Sequence, residues 1–129
     1  MPLITIPKKG LIIPKNLNKG FKVPIMASFT GIKNIPILAL GYNNGSPKLM
    51  LYTDHLECKV ILNKTVKYKD IENVDFTDFW LTKAVILNFK NKRLDFAANL
   101  YKKENLVELI KFFDKKKIPL SKKARMLLH

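Results

Sequence analysis

The chain reads as a mainly β domain, a curved antiparallel sheet or partly open barrel capped by a C-terminal helix. Period-two alternation of apolar and polar residues recurs through residues 37–98. Beyond residue 103 the apolar spacing changes to that of a helix. The length of 129 residues, with 47% hydrophobic content, suits one domain with a single core.

Residues 1–36 hold five of the seven prolines, Pro2, Pro7, Pro14, Pro24 and Pro36, so no long helix fits there. Short apolar pieces lie between them, at residues 3–6, 11–13 and 21–23. They predict short edge strands or an extended arm, residues 1–36, packed on the domain. Residues 37–42 and 48–53 flank Asn43-Asn44-Gly45-Ser46-Pro47, a turn cluster that predicts a hairpin. In residues 56–62, Leu56, Cys58, Val60 and Leu62 share one face, with Glu57 and Lys59 on the other. After a turn at Asn63-Lys64, Val66 and Tyr68 point inward, and Ile71, Val74 and Phe76 continue after a kink at Asp70. A last hairpin follows, with Val85, Leu87 and Phe89 facing Leu94, Phe96 and Ala98 across Lys90-Asn91-Lys92. Residues 103–117 place Leu106, Leu109, Ile110 and Phe113 on one helical face. Asn105 and Glu108 match a capping box, and Pro119 is expected to stop the helix. The domain thus spans 37–118, and 119–129 is a basic tail in which Ser121 is placed to cap a short second helix.

Net charge is +14, concentrated at the two ends: residues 1–36 hold six lysines and no acid, and residues 101–129 hold nine bases and three acids. Such a field favours nucleic acid, anionic headgroups or an acidic protein. Of the 24 bases 22 are lysine, a skew that an AT-rich genome also produces, whereas specific phosphate recognition favours arginine.

Residues 48–118 resemble the pleckstrin-homology-like superfamily, particularly its small bacterial members. The likeness rests on strands followed by one amphipathic helix and on the run Val66-Lys67-Tyr68-Lys69-Asp70-Ile71-Glu72-Asn73-Val74. It implies a PH-like fold and a lipid, peptide or structural role, without a catalytic motif.

Catalysis is not expected. His55 and His129 have no nucleophile at a recognisable spacing, Cys58 faces inward, and the five glycines form no phosphate loop. Asp75 and Asp78 are candidates for a carboxylate pair or metal ligands, but two acids beside a strand end are usually solvated, and neither metal nor cofactor is expected. In an uninterrupted meander, alternate turns share an end, which gathers Lys48, Lys64, Lys90, Lys92 and Arg93 as an anion-binding cluster for an acidic headgroup or protein. Lysines at hairpin tips also serve solvation and protect sheet edges. Phe79-Trp80-Leu81 breaks the alternation, so Phe79 and Trp80 are either a partner-binding anchor or a plug of the core. Nonspecific nucleic-acid binding and a scaffolding role are the alternatives, the former weakened by strands without an exposed aromatic ladder. No apolar run reaches the roughly 18 to 20 residues that span a bilayer, and the N-terminus has no signal-peptide pattern. The expected location is the cytoplasm, with peripheral membrane association if headgroups are the ligand.

Overall fold

The computed structural model describes residues 11–31, 39–43, 45–60, 62–77 and 83–129. Nine strands come first: β1 (Phe21–Lys22), β2 (Ile25–Gly31), β3 (Ala39–Asn43), β4 (Lys48–Leu51), β5 (His55–Lys59), β6 (Asn63–Lys67), β7 (Ile71–Thr77), β8 (Ala84–Phe89) and β9 (Asp95–Leu100). Two helices follow, α1 (Lys103–Lys115) and α2 (Lys122–Leu127). The fold is mainly β with a C-terminal helix, but the strands form two open antiparallel sheets rather than one meander. A four-stranded sheet runs β1-β4-β5-β6, and a five-stranded sheet runs β3-β2-β9-β8-β7.

The chain changes sheet between β1 and β2, between β3 and β4, and last at Tyr68–Asp70, a 3-10 turn between β6 and β7. Period-two alternation is blind to it, because Val66 before the turn and Ile71 and Val74 after it all point to the same core. Tyr68 is buried and fixes the corner. Its hydroxyl donates to the Tyr52 carbonyl at 2.5 Å, and its N–H donates to the Asp54 carbonyl at 3.2 Å. Its ring meets Phe112 and Phe113 of α1 edge-on, at 5.8 and 6.4 Å between centroids. A second tie joins the sheets where the Ser28 hydroxyl, wholly buried on β2, donates to the Lys59 carbonyl at 2.5 Å.

The proline-rich segment is more than a wrapping arm. Pro24 stands between β1 and β2, and β2 is an interior strand paired with both β3 and β9. A boundary at residue 36 therefore cuts the connection between two paired strands. Residues 11–17 do run as an extended arm over α1. Asn105, expected to cap that helix, instead accepts the Leu11 N–H on Oδ1 at 2.9 Å, and the helix starts from Lys102 without a side-chain cap. Its other end stops before Pro119. Lys117 takes the left-handed conformation (φ 62°), and the Lys117 and Ile118 N–H groups bond back to Asp114 and Phe113. This closes the last turn in the pattern usually given to glycine.

One core lies between the sheets and α1. Leu49, Leu51, Leu56 and Cys58 enter it from the four-stranded sheet. Val74, Val85, Leu87, Phe96 and Leu100 enter from the five-stranded one, and Leu106, Leu109, Ile110 and Phe113 from α1. Two residues expected inside are not: Leu62 is 76% and Leu94 40% exposed, because each falls in or beside a turn that ends the alternation. The segment after Pro119 has a defined seat. The Val74 N–H donates to the Pro119 carbonyl and the Ser121 N–H to the Val74 carbonyl, a parallel bridge along the β7 edge. Ser121 caps α2 as expected, accepting the Ala124 N–H at 3.0 Å, while its hydroxyl donates to Asp75 at 2.7 Å.

Two outcomes test this packing. Leu109→Ala removes a fully buried side chain and is expected to cost about 2–5 kcal/mol in chemical denaturation, against less than about 0.5 kcal/mol for Leu62→Ala on the surface. Asp95 accepts the Gly31 N–H at 2.9 Å, and partial burial raises its carboxyl above the ordinary 3.8. A raised carboxyl favours folding below its unfolded pKa and loses that contribution as pH rises through the folded value. Asp95→Asn keeps an acceptor for Gly31, so it should raise the melting temperature near neutral pH, with the gain vanishing below about pH 3.8.

Candidate functional site

The five cations expected to cluster are divided by the sheet switch. Lys48 pairs across the strands with Lys59, and Lys59 with Asn63, so Lys48 and Lys64 share the end of the four-stranded sheet that holds the 45–47 and 62–63 connections. The Lys90 N–H, by contrast, bonds to the Asp70 carbonyl at 2.9 Å. That places the turn carrying Lys90, Lys92 and Arg93 beside the 3-10 corner, which itself is bonded to Tyr52 and Asp54 at the other end of the sheet. Counting turns through residues 65–76 as one strand misses this reversal. Asn91 takes a left-handed φ of 59° at the tip of the turn, and all three cations there are exposed. Lys64, opposite Cys58, lies on the inward-facing row of the edge strand β6, an arrangement that blocks further strand addition. Phe79, Trp80 and Asp78 lie outside the described residues, and Asp75 is engaged with Ser121.

A different set of cations comes together. Register places Lys22 opposite Met50, and Lys48 opposite Lys59, all on the solvent face of the four-stranded sheet. Among the described residues no helix covers that face. The three lysines edge a groove of about 750 Å³ whose other walls include Met26, Met50 and Tyr101. Tyr101 directly follows β9 and is 61% exposed, and Met26 on β2 is 46% exposed. Among the described residues no carboxylate lines the groove.

Lys48 and Lys59 are a like-charge pair placed directly opposite, which destabilises a sheet by about 0.2–1 kcal/mol. Two neighbours offset the repulsion. Lys48 Nζ donates to Glu57 Oε2 at 2.7 Å, and this bond holds the Glu57 carboxyl below its ordinary range. Lys59 Nζ donates to the Ser46 hydroxyl at 3.2 Å. Lys22 meets no acid among the described residues. The groove thus keeps a net positive charge, with Lys22, Lys48 and Lys59 all among its lining residues.

A second concavity, of about 770 Å³, separates the 11–17 arm from the outer side of α1. Its lining mixes Glu104 and Glu108 with Lys15, Lys111, Lys115 and Lys116, so two carboxylates offset half of its positive charge.

His55 and Cys58 are both engaged by their surroundings. His55 Nδ1 lies 2.6 Å from Asp54, and its ring stacks on Tyr52 at 4.6 Å. Cys58 is buried and its thiol is pushed up to about 12 by desolvation, against the smaller opposing pull of Lys64. The thiol is therefore unreactive while the protein is folded. Ellman's reagent should titrate no thiol in the native chain and the single cysteine once denaturant is added; fast labelling of the native protein would contradict this burial.

Sequence alternation had already turned Glu57 and Lys59 outward, but Lys22 was assigned to the arm. Met26 falls within that same arm of residues 1–36, and Tyr101 stands in no expected element. Register, not pattern, brings them beside Lys48. No protein-family model matches this chain, and no curated protein is significantly similar to it.

Proposed function

We propose that the protein is a non-catalytic binding module that takes an anionic, phosphate-bearing ligand in the groove edged by Lys22, Lys48 and Lys59. The observation that carries this reading is the like-charge pair Lys48–Lys59, directly opposed on an uncovered sheet face. A dianionic group between the two ammonium groups relieves their repulsion, which gives the ligand a favourable term beyond a simple surface ion pair. Strands followed by an amphipathic helix are in keeping with the pleckstrin-homology-like resemblance of residues 48–118, which likewise speaks for a binding role without chemistry. The buried Cys58 thiol and the engaged His55 support the non-catalytic part, and a lone cysteine suits a cytoplasmic setting. No helix among the described residues is long and apolar enough to cross a membrane.

Inorganic polyphosphate isolates the shared chemistry, since it offers phosphates and nothing apolar. In calorimetric titrations at low salt, the triple variant Lys22→Gln, Lys48→Gln, Lys59→Gln should bind about tenfold or more weakly, from three contacts of about 0.5 kcal/mol each. The control triple Lys90→Gln, Lys92→Gln, Arg93→Gln removes the same charge from the corner and should lose far less. Equal losses would assign binding to net charge, and a larger loss in the control would move the site to the 90–93 turn.

A further inference from the structure

Resting on that reading, we propose that the anion is the backbone of a single-stranded nucleic acid, which runs through the groove with its phosphates on Lys22, Lys48 and Lys59 and a base on Tyr101. The three lysines lie on three adjacent strands, β1, β4 and β5, so the row runs across the sheet. Strands are spaced by about 4.8 Å, so the row tracks a linear polyanion rather than a single headgroup. The site is concave. A bilayer is engaged by apolar side chains that stand out beyond the charged ones, whereas Met50 is only half-exposed and Met26 and Tyr101 are walls of the groove. A thread fits a channel where a plane does not.

The lining separates a nucleic acid from an acidic peptide. Alongside the lysine row lie one aromatic ring and two thioethers, Tyr101, Met26 and Met50. Nucleic acid alternates charged phosphates with flat bases, and base stacking on an exposed aromatic is tolerant of sequence. Tyr101 offers such a face, being 61% exposed. The cations are lysines acting as point charges, without the arginine fork that reads a guanine edge. The contact is therefore with backbone and base faces, and it discriminates poorly among sequences. Lys102 and Lys103, both exposed, follow Tyr101 and extend the positive field past the groove mouth.

The experiment is fluorescence anisotropy of the full chain with labelled oligothymidylate of about ten nucleotides, within the usual site size of such grooves. A duplex of the same length and phosphatidylserine vesicles are parallel probes. The single strand should bind more tightly than the duplex. Log affinity should fall with log salt at a slope of about −2 from three phosphate contacts, and each Lys→Gln change in the row should reduce that slope by about 0.7. Tyr101→Ala should weaken binding at least about fivefold with the slope unchanged, and Tyr101→Phe should restore it. Three outcomes overturn the inference. They are vesicle binding without oligonucleotide binding, oligonucleotide binding indifferent to the three lysines, and Tyr101→Ala binding like the parent. Polyphosphate binding that still depends on the lysines would leave the anion-binding reading standing in each case.

Discussion

The tyrosine at the corner between the two sheets is the constraint on which the architecture depends. Tyr68 is placed where the chain passes from β6 of the four-stranded sheet to β7 of the five-stranded one. Its buried hydroxyl has a single acceptor, the Tyr52 carbonyl at the end of β4. A buried hydroxyl without a partner is costly, so that bond fixes where the corner sits relative to the first sheet. The ring, caught edge-on by Phe112 and Phe113, fixes it relative to α1. Lys116 completes the arrangement from outside, its ammonium 5.6 Å from the Tyr68 ring and bonded to the Thr53 carbonyl. Strand register, helix position and corner geometry are set by one side chain.

Much of this was legible in the residues. The core face of β5, of β7 to β9 and of α1 follows from periodicity, because burial on one side of a sheet or helix imposes its own spacing. The corner was not legible. Tyr68-Lys69-Asp70 carries no glycine or proline, and the apolar residues on either side point the same way whether the strand continues or turns. That single omission propagated, since the side of the sheet on which each later turn lies depends on counting reversals. It separated Lys90, Lys92 and Arg93 from Lys48 and Lys64. Lys22 and Tyr101 escaped for another reason: each becomes part of the groove through pairing with, or proximity to, strands far away in the chain. The start of the helix was also misread, as Asn105 serves the arm, whereas its stop before Pro119 holds, with Lys117 in the conformation usual for glycine.

The basic face illustrates how a sheet tolerates opposed charge. Lys48 and Lys59 are kept apart in energy rather than in space, by Glu57 on one side and Ser46 on the other. The Lys48–Glu57 bond is short and partly buried, whereas the Lys59–Ser46 contact is longer and exposed and surrenders more readily to a stronger anion. Cations on the edge strand β6 have a different office. Lys64 and Lys67 there discourage another strand from joining, which keeps the open edge of the four-stranded sheet from becoming a site of aggregation.

The seat of the final segment has a bearing on how the protein is made. β7 is an outer strand, and its free edge is bridged only by Pro119 to Ser121. A chain folding from its N-terminus completes both sheets before residues 119–121 dock along this edge. During that interval the exposed edge and the uncovered apolar floor beneath α1 are open to chaperones and to neighbouring nascent chains. Docking of residues 119–121 and of α2, the latter through the buried Ala124, ends that exposure.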